Sequence, residues 1–200
     1  MPAFDFEIVY LARHGETEWN REGRRQGRLD SPLTQKGWDQ AQRLARFVTT
    51  LSPTPDGLSS SPLGRAIATA EVCSKEIGLP VVVVDDLAEL DHGRITGMTS
   101  SDVDEAFPGE LERREEDKYA WRFPGGESYS DVDARAARAL HQIGAAGAKR
   151  PLIVSHAMIS RMLRRDLLGA DPGVATTWRQ PHDVIFEVDV ARRKVVERPF

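Results

Sequence analysis

Apolar residues recur along this chain at two spacings, and the alternation between them is the first structural signal. Phe6 to Ala12 is a short, β-prone apolar run that suits a central strand. From Arg13 to Pro32 the chain is polar and glycine-containing, which reads as loop. Thr34 can cap a helix in which Trp38, Ala41, Leu44, Ala45, Val48 and Leu51 share one face, with Pro53 and Pro55 ending it. Gly57 to Ser60 fits a short strand. Leu63, Ala66, Ile67, Ala70, Cys73 and Ile77 return to helical spacing, closed by Gly78. Val81 to Val84, four β-branched residues, reads as a buried strand.

The second half repeats the alternation. Residues 99 to 127 are acid-rich, weakly periodic and punctuated by Pro108, Pro124, Gly125 and Gly126; they read as short helices plus a loop over one end of a sheet. Ser128 to Gly144 is helical, with Val132, Ala136, Leu140 and Ile143 inward. Leu152 to Ser155 is a strand, and Met158, Ile159, Met162, Leu163 and Leu167 form the next helical stripe. Val184 to Val190 and Lys194 to Glu197 can pair as a C-terminal hairpin. Strands alternating with helices imply an α/β fold: a mostly parallel central sheet with helices on both faces in three layers, and a small helical cap over the carboxyl ends of the strands. Ligands in such sheets sit beyond those carboxyl ends.

Composition narrows the class without changing the fold. The 200 residues suit one domain spanning 1–200, with the cap at about 99–127. Hydrophobic residues at 40% and charged residues at 29% exclude disorder as the main state, collagen and a disulfide scaffold. A net charge of −4 argues against a large nucleic-acid footprint, while a small anionic substrate needs only local positive charge. The single cysteine, Cys73, can form neither an internal disulfide nor a cysteine-based zinc site, and its helical face makes it a buried thiol. Met1 to Tyr10 lacks the basic start of a signal peptide, and no run approaches 18 apolar residues. The expectation is a cytoplasmic protein without membrane contact. The sequence does not set the oligomeric state; a dimer through an exposed strand or helix face is compatible with it.

Two histidines stand where this architecture places active sites. Arg13-His14-Gly15-Glu16 follows the first strand, and Ser155-His156-Ala157 follows the strand at 152–154. If those strands are neighbours, both imidazoles face one pocket. A metal site built from the two histidines with Glu16 or Glu89 lacks ligand spacing such as HExxH, and Arg13 would repel a cation. The chain has no GxxxxGK[ST], GxGxxG or GxSxG motif, so nucleotide-driven and serine-hydrolase readings lack sequence support.

Leu11 to Asn20 resembles the opening motif of the histidine phosphatase superfamily, in its phosphoglycerate-mutase-like branch. The resemblance continues in family order through Gln26-Gly27, Asp30 to Thr34, Gly37, Gln40-Ala41, Ser60 to Ala66 with Thr69-Ala70, Leu87-Ala88-Glu89 with Gly93 and Gly97, Pro124 to Ser128, and Val154-Ser155-His156. Three positions depart from the pattern: Ala157 where the family has Gly after the second histidine, Ala68 where Gln usually precedes Thr69, and Arg94-Ile95-Thr96-Gly97 where an aromatic usually precedes the second Gly.

The resemblance implies a phosphohistidine enzyme. His14 would attack phosphorus with a neutral ring nitrogen. Arg13 and Arg65 would hold the charge spread over the transferring oxygens, and His156, when protonated, would add a donor. Asn20 and the Gln26-Gly27 turn would supply neutral donors for substrate phosphate, and Glu89 would be the acid and base. Arg and His supply the charge, so no metal is implied. The partner would be a small phosphorylated metabolite. The expected function is a metal-independent phosphatase acting on a small phosphate monoester, with no cofactor. The alternative is a cofactor-dependent phosphoglycerate mutase, which would need 2,3-bisphosphoglycerate; the bases of its cap would be Arg113, Arg114, Lys118 and Arg122, outnumbered by acids. A catalytically dead relative that binds a phosphorylated partner is the third reading. Glu16 orders the first loop in this scheme, His141 is a surface residue, and His92 and His182 have no motif role, each open to lining the pocket or facing solvent.

Overall fold

The computed structural model describes residues 5–200. Residues 1–4, where the expectation of no signal peptide begins, lie outside the described residues. In chain order the elements are β1 (Ile8–Arg13), α1 (Glu18–Arg21), α2 (Gln35–Val48), β2 (Gly57–Ser60), α3 (Gly64–Ile77), β3 (Val81–Val83), α4 (Ser100–Ala106), α5 (Glu110–Glu116), α6 (Tyr129–Ala145), β4 (Pro151–Ser155), α7 (Ala157–Leu168), α8 (Pro172–Ala175), β5 (Val184–Asp189) and β6 (Lys194–Pro199). The strands form one sheet in the order β3-β2-β4-β1-β5-β6. The four strands from β3 to β1 are parallel; β5 runs antiparallel to β1, and β6 to β5.

Residue alternation along β1 builds the layers. Val9 and Leu11 join one apolar cluster with Val132, Ala136 and Leu140 of α6 and Ile159, Met162 and Leu163 of α7. Tyr10 and Ala12 point the other way, to Leu44, Ala45 and Val48 of α2 and Ala66, Ala70 and Cys73 of α3. Helices therefore cover both faces. Local chemistry sets their ends. Thr34 accepts the Gly37 N–H at the start of α2, Ser128 and Asp131 form a capping box at α6, and Gly78 closes α3 in the left-handed region at φ 73°.

Several sequence expectations shift. The first strand starts at Ile8, although Phe6 is still buried. The helix after Thr34 ends at Val48, ahead of Pro53, and Trp38 turns outward. The valine run at 81–84 is an edge strand, with Val82 and Val83 about half exposed and only Val84 buried. Four β-branched residues fit an edge as well as a centre, because strand propensity reports a pleated surface and not its position in the sheet. Among the described residues, no helix is long and apolar enough to cross a membrane.

Candidate active site

β1 and β4 are neighbours, with Arg13 opposite Ser155, so the loops that follow them emerge side by side. The His14 N–H donates to the Ser155 carbonyl at 3.0 Å. The two imidazole rings stand 5.0 Å apart, tilted by 56°. The loop after β2 joins them: the Ser61 N–H bonds to Val154 of β4, and α3 then delivers Arg65. Gly15 lets the first loop lie against the first turn of α2; a Cβ there would fall 2.2 Å from the Gly37 carbonyl oxygen, and one on Gly37 would fall 2.0 Å from that of Glu16. Glu16 anchors the same loop through Thr34 (3.1 Å) and Lys36 (2.8 Å).

His14 is buried, and its ring is tied at one end. Nδ1 lies 2.7 Å from the Gly15 carbonyl, which only accepts, so Nδ1 carries the proton and Nε2 keeps its lone pair. Arg65 Nε donates to that lone pair at 3.3 Å. Burial drives the His14 pKa well below the usual imidazole value, helped by His156, Arg13 and Arg65. Burial also holds His156 neutral, with Arg65 and Arg13 adding to it. His156 Nε2 lies 2.7 Å from Ser61 Oγ, which already accepts the Leu63 N–H at 3.3 Å. The Ser61 hydroxyl proton is therefore free to go to Nε2, which leaves the proton of the neutral ring on Nδ1. That nitrogen is buried and has no protein partner.

Arg65 is almost fully buried and organises the loop opposite: it donates to the carbonyls of Leu29 (2.7 Å) and Gly27 (2.8 Å) and to Asp30 (2.6 Å). Arg13 donates to the Gln180 carbonyl at 3.1 Å while its Nε is buried without a partner. Burial lowers the Arg13 pKa to about 10. Glu89 sits at the start of α7. Its Oε1 accepts the N–H groups of Leu90 (2.9 Å) and Ile159 (3.1 Å), and Oε2 that of Met158 (3.1 Å). Arg13, His14, Asn20, Gln26, Gly27, Arg65 and Glu89 line one cavity of about 160 Å³. His156 is fully buried behind it. Asn20 Oδ1 accepts from Thr17. The Gln26 amide donates to Thr17 at 2.7 Å and accepts from Ser31, so part of its bonding capacity builds the loop.

Sequence reasoning missed several residues. Arg24, Arg25 and Arg161 line the same cavity, and so does His92, for which the sequence left pocket and solvent both open. Arg161 shares the first turns of α7 with Ala157 and Met158, a helical spacing that could have flagged it. Arg25 reaches α4 through Ser100 at 3.1 Å, and its NH1 is buried without a partner. His92 packs edge-on to Phe123, 4.6 Å between centroids. Burial and the charges of Arg25, Arg114 and Arg65 push its pKa down to about 3. His182 lies against His14, with rings 5.4 Å apart and Nδ1 2.6 Å from the His14 carbonyl. Arg24, Arg25 and Arg161 therefore bring cations to the cavity from outside residues 99–127, the segment whose bases the mutase reading draws on. Among the described residues, no three His, Cys, Asp or Glu side chains converge as metal ligands. His141 is exposed on α6.

Comparison with known proteins gives a consistent neighbourhood. The family model described as histidine phosphatase superfamily (branch 1) matches residues 9–197. A Cronobacter sakazakii protein named probable phosphoglycerate mutase GpmB is 39% identical over 165 residues, covering 80% of this chain and 74% of that one. The alpha-ribazole phosphatase from Shigella flexneri superposes with a TM-score of 0.83 at 25% identity, covering 96% of this chain and 95% of that one. A mycobacterial glucosyl-3-phosphoglycerate phosphatase superposes with a TM-score of 0.82 at 26% identity, covering 96% and 97%.

Proposed function

The chain belongs to the histidine phosphatase superfamily (branch 1), and from that premise we propose that it is a metal-independent phosphatase that hydrolyses a small phosphate monoester through phospho-His14. One observation carries this reading: the His14 ring is neutral, tied at Nδ1, with the Nε2 lone pair turned toward Arg65 beside a cavity lined by arginines. That is the arrangement a nitrogen nucleophile needs against a phosphoryl group.

In the first half-reaction, Nε2 forms a bond to phosphorus as the ester P–O bond breaks. Arg13 and Arg65 neutralise the phosphoryl oxygens. His156 adds a donor from Nδ1, the ring nitrogen that has no protein partner. Glu89, in its acid form, gives its proton to the leaving oxygen. Its carboxyl is oriented by three backbone N–H groups, and Oε2, which accepts only one of them, has the spare capacity. In the second half-reaction, the Glu89 carboxylate takes a proton from water, the water oxygen bonds to phosphorus, and the N–P bond breaks. Inorganic phosphate leaves, and His14 and Glu89 return to their starting states. Asn20 and Gln26 line the pocket wall and offer neutral contacts. No cofactor takes part.

Two observations support hydrolysis over transfer to a second hydroxyl. Two solved neighbours that match nearly end to end bear the name phosphatase. The bases of the cap are drawn into ion pairs: Arg113 to Glu110, Arg114 and Lys118 to Glu115, Arg122 to Asp131. The mutase reading has its own support in the name of the sequence relative and in the extra cations Arg25 and Arg161. Supplying 3-phosphoglycerate with catalytic 2,3-bisphosphoglycerate and measuring both products separates the two. Phosphate release with little 2-phosphoglycerate is the expected result; rapid 2-phosphoglycerate formation with negligible free phosphate reverses the choice.

A further inference from the structure

The catalytic motifs follow the parallel strands, but β5 enters the sheet the other way. Leu11 lies opposite Phe186 and Tyr10 opposite Glu187. Continuing that antiparallel register past β1 brings the loop before β5 alongside His14. This loop carries Arg179, Gln180, Pro181 and His182, and none of the family motifs quoted above falls on it.

Two contacts from the loop reach two adjacent catalytic positions. The Gln180 carbonyl accepts from Arg13 NH1 at 3.1 Å. His182 Nδ1 lies 2.6 Å from the His14 carbonyl; a carbonyl only accepts, so Nδ1 must be the donor. The His182 ring also packs edge-on to the His14 ring at 5.4 Å. His182 does not line the cavity, and the contacts it makes run to the carbonyl and ring of His14.

We propose that His182 is a positioning residue for the nucleophile: together with the Gln180 carbonyl it clamps His14 and Arg13 in the relative geometry that attack on phosphorus requires. This rests on the phosphohistidine reading above. The His14 ring is oriented by its own backbone, through the bond from Nδ1 to the next carbonyl. That Gly15 carbonyl belongs to the peptide between residues 15 and 16; the His182 bond holds the carbonyl of the peptide just before it, between residues 14 and 15, and so fixes the backbone from which both the ring and its Gly15 acceptor are placed. Without it, a buried carbonyl is left to find another donor, and the loop rotates to do so. A displacement of about 1 Å at a reacting atom costs on the order of 100-fold in rate. Burial, reinforced by Arg13, pushes the His182 pKa down to about 4, so near neutral pH the ring has a single N–H, and it goes to the His14 carbonyl.

Three measurements test this. His182→Leu, which keeps bulk but removes the donor, is expected to lower kcat for p-nitrophenyl phosphate about 10- to 100-fold with KM within about twofold. His182→Asn, which retains a short N–H donor, is expected to recover most of that loss and also reads if His182→Leu does not fold. In protein labelled with 15N-histidine, the His14 ring is expected to be the Nδ1–H tautomer in the parent chain and a mixture in His182→Leu. An unchanged kcat in His182→Leu, a loss that His182→Asn does not recover, or an unaltered His14 tautomer overturns the clamp. The tautomer arm needs no turnover. A chain that releases no phosphate from any ester would sink the phosphatase reading while the clamp is still decided by the ring spectra.

Discussion

The floor and the rim of the cavity are built on opposite principles. On the floor, His14, Arg65 and Glu89 have most of their polar atoms bonded to protein before any ligand arrives, and the exceptions, Arg13 Nε and His156 Nδ1, belong to the two groups assigned to the phosphoryl oxygens. At the rim and cap, Arg25 NH1, His92 Nδ1 and Arg114 Nε are buried with no partner in the protein. A bonded floor is preorganised, so it costs no reorganisation at the moment of reaction. An unsatisfied rim keeps bonding capacity for the rest of the substrate. On the proposed reading the floor carries the reaction and the rim carries the choice of ester.

The sharpest way to break this division is at the floor. His14→Ala is expected to lower turnover by about 10⁴-fold or more, the scale of losing a nucleophile. It should also abolish the acid-labile, base-stable phosphate trapped by rapid denaturation of the parent chain. Near-parental turnover in this variant would end the assignment. The next effect is on stability. His14, His92 and His156 are buried neutral, whereas the unfolded chain takes up protons as pH falls below about 6.5. The folded state refuses those protons, so stability present above pH 6.5 is lost on acidification, by about 1.4 kcal/mol per pH unit for each histidine. Urea midpoints measured from pH 7 to pH 4.5 should fall steeply; a flat series would show that the rings do not stay neutral.

Smaller effects separate the steps and then the rim. Glu89→Gln should slow alkyl phosphates about 100-fold and p-nitrophenyl phosphate much less, because the latter's leaving group needs little protonation. Equal losses on both would point away from proton donation by Glu89. At the rim, Arg25→Met should reduce the preference for 3-phosphoglycerate over glycerol 3-phosphate about tenfold, or about 1.4 kcal/mol. A ratio that does not move would place substrate choice elsewhere in the cavity wall.

What was legible in the sequence follows the same division. His14, Arg65, Glu89 and His156 lie on motifs whose spacing survives in one dimension, and the helical and strand periods around them were sufficient to place the sheet. His182 was not legible, because its position depends on β5 pairing antiparallel with β1; the hairpin was readable, but not its neighbour. Arg25 was not legible, and His92 was left between pocket and solvent, because a polar residue in a loop looks the same whether it faces solvent or a cavity. The exposed Val82 and Val83 failed for a related reason: β-branching reports a strand, and only the finished sheet order says which strand is its edge.

The paired glycines at 15 and 37 have a consequence for how the molecule tolerates change. Each leaves no space for a methyl group because the other's loop or helix backbone occupies it. The first turn of α2 is therefore a mould for the loop that carries His14, although nothing in that turn lines the cavity. Along this one helix, permissive and forbidden positions alternate: Trp38 next door faces water and is open to most replacements, whereas Gly37→Ala would push the backbone of Glu16, two residues from His14. Substitution scans along α2 should accordingly read as an amphipathic helix that is sensitive at Ala41, Leu44, Ala45 and Val48 because they pack the core, and sensitive at Gly37 for a different reason, since a single methyl group there displaces the loop that carries the nucleophile.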